Sequence, residues 1–237
     1  MTRAQQLLAN YQDVTNALRS ACERAKRNPQ DVTLLAVTKY AKDEDVLCLL
    51  QQGVLGHIGE SRVQQAWARW KEDNRFTAHS NIQKHFIGHL QKNKAAQAAQ
   101  LFDWIDSIDD MATVQALAAH VPAGRTLRTL VQVKLTNRAT QSGLGLEQAR
   151  QLARTAQTVS SHIRVCGYMA IAPQGASENE LRALFGPLKQ AFVQDFGTQP
   201  DAQLSLGMSE DFEVAVEEGS TLPRIGSALF SRNLEGI

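Results

Sequence analysis

The sequence predicts a single-domain (β/α)8 TIM barrel running through residues 1–237, and three observations predict it. Short apolar runs alternate with longer amphipathic ones from end to end, the rhythm of parallel strands joined by helical crossovers. Eight strand-like runs can be counted, and a chain of 237 residues meets the lower size limit for eight such units. No long Pro/Gly/Ser linker and no break in composition divides the chain. A doubly wound open sheet shares this rhythm and is the runner-up.

The first segment, over about 3–27, is rich in Ala, Gln, Leu and Arg and reads as a helix. The apolar run 32–37 is the first strand, with a helix over about 43–52 behind it. A short strand at 56–59 precedes a helix over about 61–73. The run 85–88, His-Phe-Ile-Gly, is the third strand and leads to a helix over about 91–100. Strand 102–108 and helix 110–120 form the fourth unit. The run 127–135 is the clearest strand, β-branched and apolar, and its helix spans about 146–159. Strand 163–170 is followed by a helix over about 177–195, and strand 203–206 by one over about 209–218. Strand 222–226 is the last, with a short helical tail after it.

Composition narrows the class. Hydrophobic residues make up 43% and charged residues 21%, ordinary for a globular protein with a large core. A net charge of +1 argues against nucleic acid and acidic membrane surfaces as partners. The basic cluster Lys92-Asn93-Lys94 is short enough to be a solvated helix face. Three scattered cysteines, Cys22, Cys48 and Cys166, fit free thiols in a reducing cytoplasm. The N-terminus lacks an apolar signal core, and no apolar stretch approaches the ~20 residues that span a bilayer.

In a parallel barrel the active site lies at the C-terminal ends of the strands. Lys39, Glu60, Gly88, Met169, Ser209 and Gly226 all fall at or just past such ends. Strand side chains alternate, so if Leu35 and Val37 face the barrel interior, Lys39 does too. A lysine there is partly desolvated, which favours the neutral, nucleophilic amine. The bland alternative is a lysine that snorkels to water.

Ser209 opens a helical pattern continuing Glu210-Asp211-Phe212. It reads equally as a plain N-cap and as part of an anion site. Gly226 and Ser227 follow the last strand, where glycine lets backbone N–H groups approach an anion. Phosphates in barrels often sit at the loops after strands seven and eight. Arg224 shares the face of Gly226; it is a donor only, so a pyridine nitrogen facing it must be the unprotonated acceptor. Its alternative is a structural pairing with Glu217 or Glu218. Together these residues offer an amine, an anion site and a cation, the parts needed to hold pyridoxal 5'-phosphate. His85 and His89 are four apart but lack the glutamate of an H-E-x-x-H zinc motif, and no metal site is expected. Gly143-Leu144-Gly145 is too short for a dinucleotide fingerprint.

Over nearly its whole length the chain resembles the pyridoxal-phosphate homeostasis proteins, also called the YggS/PROSC family. The matching segments are Leu35-Ala36-Val37-Thr38-Lys39, Gly59-Glu60 and His85-Phe86-Ile87-Gly88-His89-Leu90-Gln91. Ser142-Gly143 and the long stretch from Leu204 to Phe230 also match. The resemblance implies a barrel like the N-terminal domain of alanine racemase. It implies a Schiff base between Lys39 and pyridoxal 5'-phosphate, Arg224 against the ring nitrogen, and Ser209, Gly226 and Ser227 around the phosphate. It further implies a monomer that buffers or delivers the cofactor, with pyridoxal-phosphate-dependent apo-enzymes as recipients, in vitamin B6 and amino-acid homeostasis. The chain departs from the family pattern at Ser61, Arg62, Gln65, Lys134, Arg138, Gln141 and Pro223, mostly at the expected barrel mouth.

Two functions compete: a non-catalytic carrier and an amino-acid racemase. Racemisation needs a base on each face of the cofactor, conventionally a lysine and a tyrosine. Racemases bring that tyrosine from a second domain, which this chain is expected to lack. Of its own tyrosines, Tyr40 should point away from Lys39 unless the strand has ended, and Tyr168 reads as a packed barrel residue. The carrier is the favoured reading.

Overall fold

The computed structural model describes residues 1–136 and 141–231. Its framework is eight parallel strands: β1 (Leu35–Val37), β2 (His57–Glu60), β3 (Gln83–Phe86), β4 (Trp104–Ile108), β5 (Leu127–Val133), β6 (Ile163–Ala170), β7 (Gln203–Ser205) and β8 (Arg224–Ile225). They lie in the order β7-β6-β5-β4-β3-β2-β1-β8. The remaining edge, between β7 and β8, is bridged by Thr221 N–H to the Leu204 carbonyl (2.9 Å) and Arg224 N–H to the Gly207 carbonyl (3.0 Å). The barrel is thus nearly closed, and its irregular seam falls beside the residues proposed for anion binding.

The helices around it are α1 (Arg3–Arg24), α2 (Asp43–Gln51), α3 (Val63–Trp67), α4 (Asn74–Thr77), α5 (Ala95–Leu101), α6 (Met111–Ala118), α7 (Leu146–Ala156), α8 (Glu178–Phe196), α9 (Phe212–Glu217) and α10 (Ser227–Phe230). Local chemistry fixes their starts. Thr2 and Gln5 form a capping box on α1, and Ser177 and Glu180 form one on α8. Asp110 caps α6 by accepting from Thr113 N–H. The expected helix over about 61–73 is α3 followed by a π-helical turn, Ala68–Glu72. The first strand, Leu35–Val37, is shorter than expected; a 3-10 turn over 29–31, with Pro29 as its first residue, precedes it.

Two apolar layers result. The larger lies between sheet and helices and includes Ala36, Ile58, Phe86, Ile105, Phe185 and Phe196. The smaller fills the barrel interior: Leu35, Trp104, Leu130, Cys166, Met169 and Leu222, with Ile87 packed against it. Cys166 and Met169 share the interior although they are not an even number of residues apart. The cause is a bulge: Thr129 pairs with Val165, but Leu130 pairs with Gly167. One extra residue shifts the alternation, so Met169 turns inward and Tyr168 outward. The Tyr168 hydroxyl donates to Asp195 of α8 at 2.7 Å. Burial and that bond push its pKa up.

Gly167 makes the bulge possible. Its φ is +148°, and a Cβ there would lie 1.9 Å from the Gln203 carbonyl oxygen. Gly167→Ala is therefore expected to destabilise the fold by about 2–4 kcal/mol. A urea melt followed by far-UV circular dichroism checks this, and an unchanged midpoint would show that β6 and β7 can separate without cost.

Candidate functional site

The interior alternation expected from the first strand is present. Leu35 packs inside the barrel and Ala36 outside it, while Val37 and Lys39 line a cavity of about 940 Å3 at the C-terminal mouth. Ser209, Arg224, Gly226 and Ser227 line the same cavity. The structure therefore brings together all five residues singled out in the sequence, from the ends of β1, β7 and β8. Lys39 is half-buried, with its Nζ 5.1 Å from the centre of the Tyr40 ring. Because β1 ends at Val37, Tyr40 leaves the strand alternation and also lines the cavity, 81% exposed.

A residue the sequence reading missed holds the lysine loop. Arg69, in the π-helical turn, donates to the carbonyls of Thr38 (3.0 Å) and Ala41 (3.1 Å), on either side of Lys39. It also donates to Glu60 (2.7 Å) and Asp43 (2.8 Å). Glu60, buried at the end of β2, accepts a further bond from the Thr38 hydroxyl (2.7 Å). Planar guanidinium geometry suits this several-point clamp; a lysine in its place would make fewer fixed contacts. The only sequence signal was a cation flanking the buried stripe of Val63, Ala66 and Trp70.

Arg224 is 4% exposed. Its Nη1 donates to the Ser205 carbonyl and hydroxyl, both at 2.8 Å, and its Nη2 to the Ala170 carbonyl at 2.9 Å. Three of five N–H donors are used; one on Nη2 and the one on Nε are left for the cavity side. Burial lowers its pKa to about 10, opposed by the carboxylates of Asp106 and Asp211. It stays a cation at neutral pH. The alternative pairing with Glu217 or Glu218 is not made: those carboxylates bind Arg24 and Arg182 instead.

Ser209 is not an N-cap. The helix begins at Phe212, behind Asp211, because the Asp211 carboxylate accepts from Met208 N–H (2.6 Å) and ties the chain into a turn first. The Ser209 hydroxyl instead accepts from Ala228 N–H at 3.2 Å, across to the segment following β8. Gly226 lies close under Val37: a Cβ there would come within 3.3 Å of the Val37 carbonyl and side chain. Ser209, Gly226 and Ser227 thus form one small-residue wall of the cavity.

Below the cavity, the interior carries a polar array that the sequence reading also missed. His85 Nδ1 lies 3.0 Å from Asp106 Oδ2, and His85 Nε2 lies 2.9 Å from His57 Nδ1. His85 and Asp106 are fully buried. Trp104 stacks on His85 with ring centres 5.1 Å apart and planes 8° from parallel. Burial, His85 and Arg128 lower the pKa of His57 to about 4.

Of the positions that depart from the family pattern, Ser61 has its carbonyl packed against Gly88, where a Cβ would lie 2.3 Å away. Gln141 joins the end of β5 to that of β6, accepting from Thr136 N–H (2.9 Å) and donating to the Ile171 carbonyl (2.7 Å). Pro223 accepts from Leu35 N–H at 3.0 Å, so its missing N–H leaves that pairing intact. Arg138 lies outside the described residues.

Comparison with known proteins gives a consistent set of relatives. The profile of the alanine racemase N-terminal domain matches residues 9–233. A pyridoxal phosphate homeostasis protein of Pseudomonas aeruginosa is 34% identical over 222 residues, covering 93% of both chains. One of Escherichia coli is 32% identical over 226 residues, covering 93% of this chain and 94% of that one. Among solved structures, PipY of Synechococcus elongatus with pyridoxal phosphate bound is similar at a TM-score of 0.74 and 31% identity, covering 91% and 99%. An alanine racemase of Clostridium difficile, at 11% identity and TM-score 0.69, shares the fold over 97% of this chain and 56% of its own.

Two outcomes are expected from this geometry. Arg69→Met leaves Glu60 buried with its cation removed and should destabilise the fold by about 3 kcal/mol, measured by urea denaturation. A loss below about 1 kcal/mol would show that Arg69 does not clamp the lysine loop. His57, with a pKa lowered from 6.5 to about 4, favours the fold only while neutral. As pH falls through that window the unfolded chain gains a proton that the folded chain does not, so stability should fall. The fall should shrink in His57→Gln; an equal fall in both would assign it to other groups.

Proposed function

Because the chain belongs to the pyridoxal phosphate homeostasis proteins, within the wider family of the alanine racemase N-terminal domain, we propose that it carries or buffers pyridoxal 5'-phosphate through a Schiff base. The single observation that carries this reading is one cavity walled by Lys39, Ser209, Arg224, Gly226 and Ser227. The residues fit the group. A volume of about 940 Å3 is ample for a small cofactor. The relative PipY has been solved with pyridoxal phosphate bound.

Bound pyridoxal phosphate supplies an aldehyde that condenses with an amine and a ring nitrogen that accepts a proton or a hydrogen bond. Lys39 offers the amine. Arg224 offers its remaining N–H groups to the ring nitrogen. Since Arg224 cannot accept a proton, it keeps that nitrogen unprotonated and weakens the ring as an electron sink. Ser209, Gly226 and Ser227 receive the phosphate along the seam of the barrel. Such a site holds the cofactor well and supports little carbanion chemistry.

The site also speaks against the racemase alternative. Tyr168 is turned outward by the bulge and bonded to Asp195. Tyr40 sits beside Lys39 at the exposed mouth, on the lysine's own side. In this reading residues 1–237 act as one domain, a monomer of the cytoplasm that passes the cofactor to pyridoxal-phosphate-dependent apo-enzymes in vitamin B6 and amino-acid homeostasis. Among the described residues no helix is long and apolar enough to cross a membrane.

The purified protein, incubated with pyridoxal phosphate, should develop a visible chromophore that borohydride fixes to the chain and that Lys39→Ala abolishes. A native protein that takes up no chromophore would overturn the reading. Loaded protein given L-alanine should produce no D-isomer beyond the rate of free cofactor; robust turnover would replace the carrier with a racemase.

A further inference from the structure

In a (β/α)8 barrel an outer ring of helices covers the strands. After β8 the described residues supply α10, a turn of four residues, and the 22-residue helix α1 packs against it and against α2 and α9. The buried face of α1 runs Leu7, Asn10, Val14, Leu18 and Ala21, so an amide stands in an otherwise apolar stripe. Asn10 is 6% exposed. An amide is kept at such a place only where its hydrogen bonds are met. Its Nδ2 donates to the Leu229 carbonyl at 3.0 Å and to the Ser231 carbonyl at 3.3 Å. Arg3, two helical turns earlier, donates to the Phe230 carbonyl at 2.6 Å and to the Ser231 carbonyl at 3.3 Å. Its guanidinium is fixed in turn by both carboxylate oxygens of Asp45 on α2, at 3.0 and 2.7 Å.

These carbonyls are the ones that the last turn of a helix leaves unpaired. The same turn faces the cavity, which Gly226, Ser227, Phe230 and Ser231 line. Leu229 and Phe230 N–H both donate to the Gly226 carbonyl at 3.0 Å, and Ser231 N–H to the Ser227 carbonyl at 2.8 Å. Ala228 N–H donates across to the Ser209 hydroxyl at 3.2 Å. A turn this short does not hold its own shape in water. We propose, resting on the carrier reading for the ligand, that Asn10 and Arg3 are positioning residues for the phosphate arm of the aldehyde. They grip the turn by its carbonyl end, so that Gly226 and Ser227 meet the phosphate as a preset surface. The preference of the cavity for a phosphorylated aldehyde is thereby built from α1, packed behind the cavity wall.

The decisive measurement compares two aldehydes by titration of the visible chromophore. One is pyridoxal phosphate; the other is 5'-deoxypyridoxal, the same ring with a methyl group in place of the phosphate arm. Asn10→Leu keeps the stripe apolar and removes both amide bonds. Its affinity for pyridoxal phosphate should fall about tenfold, as expected for two lost hydrogen bonds, while that for the phosphate-free aldehyde holds. A general loosening of the fold would weaken both alike. A ratio of the two affinities equal to the native one would overturn the proposal, whether both hold or both fall. If Asn10→Leu does not fold, Arg3→Gln decides on the same ratio: a loss confined to the phosphorylated aldehyde supports the clamp, and an unchanged ratio overturns it.

A second measurement needs no ligand. In unliganded protein, amide hydrogen exchange over 226–231 should be about tenfold faster in Asn10→Leu, with exchange in the barrel strands unchanged. Exchange over that segment at the native rate would overturn the proposal. A native protein that takes up neither aldehyde sinks the carrier reading alone, and the exchange measurement then decides whether α1 holds the turn.

Discussion

A guanidinium deep inside a protein needs partners for its N–H groups, and the three that Arg224 has found organise one side of this barrel. Its bonds reach the Ser205 carbonyl and hydroxyl on β7 and the Ala170 carbonyl at the end of β6, while its own backbone N–H reaches Gly207. Three strands are thereby held at the place where regular pairing lapses. The side chain that closes the barrel is the same one that offers unspent donors to the cavity. In the carrier reading, the structural role of Arg224 and the ligand contact proposed for it cannot be separated, because both rest on one orientation of one planar group.

On the neighbouring strand, β1, the constraint is of another kind. Lys39 stands just past a strand of three residues, in the turn that follows it. Its position comes instead from Arg69, which bonds the Thr38 and Ala41 carbonyls, and from Glu60, which accepts from the Thr38 hydroxyl. Two arginines are thus used in opposite ways around the site. Arg69 satisfies carbonyls so that an amine is presented, and Arg224 is satisfied by carbonyls so that its own donors are presented.

Much of this was legible in the chain. Period-two alternation placed Lys39 inward from Leu35 and Val37, and the βα rhythm gave eight strands and put Ser209, Arg224, Gly226 and Ser227 at one mouth. These are local signals, carried by side chains a few residues apart. The illegible parts are contacts between elements distant in sequence. Nothing near Arg69 announces that it will bond carbonyls beside Lys39, and His57, His85 and Asp106 come from three different strands. Ser209 shows a subtler failure. Its spacing fits an N-cap, but Asp211 accepts the Met208 N–H first and delays the helix to Phe212. The turn before the helix passes through Gly207, whose φ is +88°.

The bulge at Gly167 bears on what this barrel can become as well as on how it folds. Inserting one residue into β6 acts as a phase switch for every side chain downstream. In one phase a phenol would stand among the interior groups; in the phase adopted, a thioether does, and Ile171 rather than a hydroxyl reaches the rim. The chemical repertoire of the mouth is therefore filtered by strand register before any individual side chain is chosen. Bringing the Tyr168 phenol itself into the interior would require deleting a residue, a change that point substitution cannot make.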